Sequence, residues 1–544
     1  MPTTTTHQRP PRTARLLRRT LRGLPPRRYR VGHHPALPVP AADGARLLTD
    51  HYLPLGDGEF PTVLLRSPYG RGFPWAPLYG LALAEQGFHV LIQSCRGTGG
   101  SGGEAALWRH ERADGLATVE WLREQPWFDG RLGTIGPSYL GYTQWALAAD
   151  PPPELRAMVV QNGIHDPHAF FHSGGVLNLE NALVAAVGLA NFDRGPGTLL
   201  RASARLQRNL RRATRGLPLR DAYPAATGGR LAALDGALDH PDPADPYWAG
   251  SDLGPVAERH AIPTALVTGW SDVCLGQTLR QWERLRAAGC AGSLLIGPWT
   301  HTSTLGPGLP EVFRESLAWL RAHLCDDPSG LRAQPVRVSL DGGWRELADW
   351  PGGGTGLRWY LADGRLVTER PTPAGPVTVR IDPADPAPPA GGPLLSQQAG
   401  PRRNNRREAR PDVLTFSTGP LTETGELRGP VAKNLLVTAG HTDLFTRLCD
   451  VDPRGRSVNV CDGVLRLAPT GGRPAAVTVE LDHTAHRFAA GHRLRLQLGG
   501  APHPRYARNP GTGEPDATAT TLSATELTVH QPSSVRALGS GRTS

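Results

Sequence analysis

The chain has 544 residues, of which 39% are hydrophobic and 20% charged. That length exceeds a single hydrophobic core and calls for two or three domains, and the composition excludes a disordered or fibrous chain. The formal net charge of +10 invites a nucleic-acid partner, but nine arginines (Arg9, Arg12, Arg15, Arg18, Arg19, Arg22, Arg27, Arg28 and Arg30) precede the first acidic residue, Asp43, and the remainder is near neutral.

Residues 1–35 therefore read as a basic, disordered tail. The tail lacks the apolar stretch of roughly 7–15 residues that a secretory signal needs. No window approaches the roughly 18 apolar residues of a membrane helix. The expectation is a cytoplasmic protein with no integral membrane span and no nucleic-acid partner.

From about residue 36 the chain alternates strands and helices. Short apolar runs at 62–65, 88–92, 132–135 and 158–160 read as buried strands. Helical patterns at 78–85, 112–124 and 140–149 lie between them. The alternation lapses over 162–243, where helix-like runs at 177–190 and 199–214 read as an inserted cap, and resumes with strands at 264–267 and 293–296. Alternation of this kind predicts a mostly parallel sheet covered on both faces, with ligands bound beyond the carboxyl ends of its strands. After residue 331 short alternating segments replace helical periodicity, the profile of an all-β jelly roll. The organisation expected is a basic tail at 1–35, an α/β core at 36–161 and 244–330, a helical cap at 162–243 and a jelly-roll domain at 331–535.

Gly136-Pro137-Ser138-Tyr139-Leu140-Gly141 follows one predicted strand and opens a helix. A serine on so sharp a turn presents its hydroxyl clear of the backbone. The spacing is G-x-S-x-x-G, one residue longer than the usual elbow. A serine hydroxyl needs a base, and the base needs an orienting acid. Asp272 follows the strand ending Val267-Thr268-Gly269-Trp270, and His301 follows the strand ending Pro298-Trp299-Thr300. The order serine, acid, histidine, each at a strand end, is that of the α/β-hydrolases. Ser138 is the expected nucleophile, His301 the general base and Asp272 the acid that orients it. The backbone N–H of Tyr139 is the expected first oxyanion donor, and Tyr69, in Ser67-Pro68-Tyr69-Gly70, offers a phenolic second one.

These blocks resemble the bacterial cocaine esterase and Xaa-Pro dipeptidyl-peptidase superfamily of serine hydrolases, the CocE/NonD type. Gln125-Pro126-Trp127-Phe128-Asp129-Gly130 with the serine block is similar to its nucleophile region. Gly269-Trp270-Ser271-Asp272 with Gly276 is similar to its acid region, and Gly297-Pro298-Trp299-Thr300-His301 to its histidine region. Gly429-Pro430, Asp443, Asp450-Val451, Asp462-Gly463 and Gly491-His492-Arg493-Leu494 resemble its C-terminal β-domain. The resemblance runs from about residue 36 to about 530. It implies an α/β-hydrolase core with an inserted helical cap and a C-terminal jelly roll, supports the role of Tyr69, and implies no cofactor and no metal. Two departures stand out. Cys95 replaces an aspartate before Arg96-Gly97. Val273-Cys274-Leu275 follows the acid, where relatives that cleave α-amino acid esters carry acidic groups.

The six cysteines show no CxxC pairing and read as free thiols, with Cys274 placed to line the site. His165, His168 and His172 near Asp166 read as a polar loop at the cap entrance rather than a metal site. The glycines of 97–103 lack the Lys-Ser/Thr of a phosphate-binding loop. His483, His486 and His492 read as structural residues of the β-domain. The leading expectation is an esterase or amidase acting on a small-molecule ester or amide through an acyl-enzyme. A Xaa-Pro dipeptidyl-peptidase is the enzymatic alternative, and a non-catalytic jelly-roll binding protein the alternative of another class. The β-domain offers a surface for assembly into a homo-oligomer.

Overall fold

The computed structural model describes residues 7–372 and 375–540. The first half is built on a ten-stranded sheet. Its strands are β1 (Arg30–Pro40), β2 (Arg46–Leu55), β3 (Thr62–Ser67), β4 (His89–Ser94), β5 (Leu132–Pro137) and β6 (Leu155–Gln161). After a two-strand cap ribbon, β7 (His172–Ser173) and β8 (Val176–Leu177), come β9 (Thr264–Ser271), β10 (Gly292–Thr300), β11 (Val336–Leu340) and β12 (Gly343–Leu347). The order across the sheet is β1-β2-β4-β3-β5-β6-β9-β10-β11-β12. Strands from β4 to β11 run parallel, and antiparallel pairs close both edges. β3, β4 and β5 are buried along their whole length, which explains their continuous apolar runs.

Side chains alternate between two cores. Leu64 and Leu91 point to the face covered by α3 (Glu111–Arg123), α4 (Tyr139–Ala148) and α11 (Leu275–Ala287). Val63, Leu65, Val90 and Ile92 point to the face covered by α12 (Leu309–Leu324) and by a π-helical turn, Ala76–Leu81, continued as α2 (Ala82–Ala84). The two faces of the pleat thus read as two separate apolar clusters.

The cap lies between β6 and β9. It comprises α5 (Pro167–Phe171), the β7–β8 ribbon, α6 (Leu179–Asn191), α7 (Pro196–Ala213), α8 (Leu219–Ala222), α9 (Pro224–Thr227) and α10 (Ala232–Asp239). Its own apolar cluster includes Phe170, Leu183, Leu210, Tyr223 and Trp248. The ribbon turn docks on the β-domain: Arg466 N donates to Gly174 O at 2.7 Å, and a Cβ at Gly174 would stand 2.1 Å from Val464 O. Only glycine fits that approach, at φ +52°.

The C-terminal jelly roll is a second ten-stranded sheet running from Thr355–Ala362 to Thr525–Ser540, with strands that alternate inward and outward around an apolar interior. Among the described residues no helix is long and apolar enough to cross a membrane.

Two expectations about organisation change. The described part of the 1–35 segment is folded rather than a loose tail. Helix α1 (Arg12–Thr20) buries Ala14 against the π-turn face, and Arg18 and Arg27 both pair with the buried Glu85 at 2.7 and 2.9 Å. Burying a carboxylate so far along the chain recruits the arginines that answer it. Residues 336–347, read as the start of the β-domain, instead form the antiparallel edge of the core sheet. An edge hairpin carries the same alternating pattern as a jelly-roll strand, so periodicity does not separate the two.

Candidate active site

Ser138 sits between β5 and α4 with φ +58° and ψ −122°, a strained setting for a non-glycine residue. The backbone around it fixes the strain. Ser138 N donates to the carbonyls of Gln161 at 2.9 Å and Asn162 at 3.2 Å, and Gly141 N donates to Ser138 O at 2.8 Å. Close packing explains the glycines. A Cβ at Gly136 would meet Leu140 at 2.5 Å, and one at Gly141 would meet the Gly163 backbone at 2.7 Å. The second glycine comes one residue late because it faces the turn after β6 rather than the serine turn itself.

Asp272 lies just past β9, with its side chain fully buried. One carboxylate oxygen faces His301 Nδ1 at 2.7 Å and accepts from Cys274 N at 3.1 Å. The other accepts from the Thr268 hydroxyl at 2.8 Å. His301, just past β10, keeps 13% of its side chain exposed. Holding Nδ1 against a carboxylate leaves Nε2 as the nitrogen able to take a proton.

Tyr69 follows β3. Its buried phenol faces the Ser138 side chain, and burial pushes its pKa up to about 12 although the nearby serine pulls it down. It therefore stays protonated at neutral pH and can donate. Its ring lies 5.2 Å from that of Phe192 in the cap and 6.1 Å from that of Trp75. Tyr139 is the first residue of α4. Its phenol donates to Glu111 at 2.9 Å and accepts from Trp108 N at 3.0 Å, which turns the side chain away and leaves the backbone N–H at the start of the helix.

All five expected residues thus stand at the carboxyl ends of β3, β5, β9 and β10. Sequence reasoning missed Asn162. This residue, at φ +47°, ties three loops together: its carbonyl receives Ser138 N, its N–H donates to Val267 O at 2.7 Å, and its Nδ2 donates to His301 O at 2.9 Å. Its place just beyond β6, opening the cap, is the only signal the sequence offered.

Cys274 is closer to the site than a lining residue need be, with its Sγ 4.0 Å from His301 Nδ1. Asp272, Cys274 and His301 present donor atoms within 4.8 Å of one another, but the facing nitrogen and oxygen already share a hydrogen bond, and burial holds the thiol protonated. Cys95 is likewise buried, beside Glu111 and Arg66, where burial pushes its thiol far up. Arg66 and Arg96 answer the carboxylates of Glu111 and Asp114 beneath Tyr139. The six cysteines are free thiols, as expected.

The cap histidines do not converge. His168 and His172 stack with ring centroids 4.6 Å apart, while His165 turns to Asp252 at 3.4 Å. In the β-domain, His486 and His492 both hold Asp450, at 3.0 and 2.8 Å, a structural bracket.

Comparison with known proteins agrees with this architecture. Residues 43–303 match the X-Pro dipeptidyl-peptidase (S15 family) model, and residues 330–536 match the X-Pro dipeptidyl-peptidase C-terminal non-catalytic domain. The chain is 31% identical over 533 residues to cocaine esterase from Rhodococcus sp. (strain MB1 Bresler), covering 87% of this chain and 92% of that one. Among solved structures, an alpha-amino acid ester hydrolase aligns with a TM-score of 0.80 at 22% identity, covering 94% of this chain and 97% of the other. A CocE/NonD family hydrolase from Staphylococcus aureus aligns at 0.70 and 17% identity, covering 94% of each chain. These structural likenesses establish the α/β-hydrolase fold with its C-terminal jelly roll. The chain belongs to the X-Pro dipeptidyl-peptidase (S15) family that includes the cocaine esterase relative, and it is a serine hydrolase of esters or amides.

Proposed function

We propose that the protein cleaves carboxylic esters of neutral, apolar acyl groups through an acyl-enzyme, with Ser138 as nucleophile. His301 takes the Ser138 proton and returns it to the leaving alcohol. Asp272 holds the tautomer and stabilises the imidazolium. The Tyr139 N–H and the Tyr69 phenol receive the oxyanion of the tetrahedral intermediate. Water then enters, is deprotonated by His301, and releases the acid.

The observation that carries this reading is the 2.7 Å pairing of His301 Nδ1 with Asp272 beside a serine held at φ +58° and faced by Tyr69. The acyl preference rests on a second one. Val273 and Cys274, following the acid, pack into the apolar cluster of the cap. A wall of that kind disfavours the free ammonium of an α-amino acid ester or of a dipeptide N-terminus.

A panel of p-nitrophenyl acyl esters, together with a Xaa-Pro p-nitroanilide, tests both parts. Wild type should turn over the neutral esters and take a fluorophosphonate label on Ser138. Ser138→Ala should lower kcat on the order of 10⁶-fold. Labelling or turnover that survives Ser138→Ala would sink the mechanism. Preference for the Xaa-Pro anilide would sink the substrate class alone.

A further inference from the structure

A cavity of about 410 Å³ opens between α1 and the segment leading into β1. Seven arginines line it, against the single carboxylate of Glu85. Arg18 and Arg27 spend their charge on Glu85, at 2.7 and 2.9 Å. Arg9, Arg15, Arg19 and Arg30 have no carboxylate partner among the described residues, and Arg28 is answered only at longer range by the exposed Asp327. Two N–H groups in the wall, Nε of Arg15 and Nε of the 6% exposed Arg18, are buried with no hydrogen-bond acceptor among the described residues.

Like charges at this density repel, and buried donors without acceptors cost free energy. A compact anion of high charge would answer both costs. Guanidinium forks match phosphate oxygens two at a time. We propose that this cavity binds a soluble polyphosphate group, a di- or triphosphate, at a site separate from Ser138. Size favours a small solute, since the cavity falls within the range that holds small ligands, about 300–1,000 Å³. Among the described residues Tyr29 is the one aromatic ring in the wall, and it is already packed edge-on against Phe60 at 5.0 Å, so recognition rests on the phosphates.

Isothermal titration of the full chain with sodium tripolyphosphate at low salt tests the site. One equivalent should bind with a micromolar Kd and raise Tm. Arg15→Ala/Arg19→Ala/Arg30→Ala should weaken binding at least about tenfold. Arg19→Glu, an exposed position, should weaken it with no loss of folding by circular dichroism. The arginine-rich helix α7 supplies the control: Arg201→Ala/Arg208→Ala/Arg212→Ala should leave Kd unchanged. Equal weakening by the α7 variant would reduce the effect to bulk charge and overturn the proposal. So would the absence of saturable binding. Helix α1 also exposes Leu16, at 64%, and Leu17, at 38%. Binding to phosphatidylserine vesicles that tripolyphosphate does not displace would replace the soluble anion with a membrane surface.

Discussion

Asp272 and Asp462 are buried to the same depth, with side chains 0% and 1% exposed, yet their charges are held by opposite means. Asp462 is gripped by two guanidinium groups, Arg447 at 2.7 Å and Arg505 at 2.5 Å. Burial pushes its carboxyl up, and Arg505 and Arg447 more than reverse that, holding it below the usual carboxylate range. Asp272 has neutral donors instead: a hydroxyl, a backbone N–H and the ring of His301. No arginine or lysine pairs with it among the described residues. The difference teaches what each is for. In the proposed mechanism the carboxylate that must steady a transient imidazolium is left without a permanent cation, whereas Asp462, paired to two guanidinium groups, is neutralised for good.

The sharpest way to break this comparison is to remove both charges in turn. Asp272→Asn should lower kcat about 10⁴-fold, because the wrong histidine tautomer is then held, while the urea midpoint barely moves. Asp462→Asn should do the reverse. It strands Arg447 and Arg505 beside a neutral amide and costs about 3–5 kcal/mol, with kcat per folded molecule unchanged. Denaturation curves and active-site titration on both variants decide it, and exchanged phenotypes would refute the distinction.

A third buried charge sharpens the point through pH. Lys433, fully buried in the β-domain and hydrogen-bonded to Thr446, has its pKa pushed down to about 7 by burial, with Cys461 and Cys449 pulling the other way. Between about 7 and the ordinary value of 10.5, the unfolded chain holds a proton that the folded chain lacks. Stability should therefore rise with pH across that window, be complete above it, and be lost as pH falls through about 7, by an amount on the order of a few kcal/mol. Lys433→Met should flatten the rise in a series of urea melts. A wild-type profile that is flat over the window would mean that the ammonium finds compensation on folding.

The smallest effect is expected at Cys274. Although 4.0 Å from His301, its thiol is protonated and donates nothing essential, so Cys274→Ala should change kcat/KM less than about tenfold. Rapid inactivation of wild type by iodoacetamide, absent in the alanine variant, would show a thiolate instead.

The serine turn, the acid and the histidine were legible because each sits where a buried apolar strand ends, and such strands announce themselves as short runs. The π-turn at Ala76–Leu81 was harder, since residues 78–85 carry an ordinary helical pattern and the extra residue per turn leaves no mark on it. Helix α1 was illegible for a different reason. Its order depends on Glu85, a residue distant in sequence, and a run of arginines with few apolar anchors otherwise reads as solvated. Asn162 escaped for the same cause: all that distinguishes it are bonds to loops that the chain brings together only on folding.

The glycine contact between the cap ribbon and the β-domain has a consequence for traffic. Besides Arg466 N to Gly174 O, Ala507 N donates to Leu177 O and Arg220 N to Ala517 O, each at 3.0 Å, so the cap is fastened on the side away from the core as well as where it leaves the sheet. A swinging lid would have to tear these three and also Glu180 N to Arg505 O, at 3.2 Å. This fastening opposes a swinging lid and favours sorting of substrates by the width of the entrance over closure behind a bound substrate.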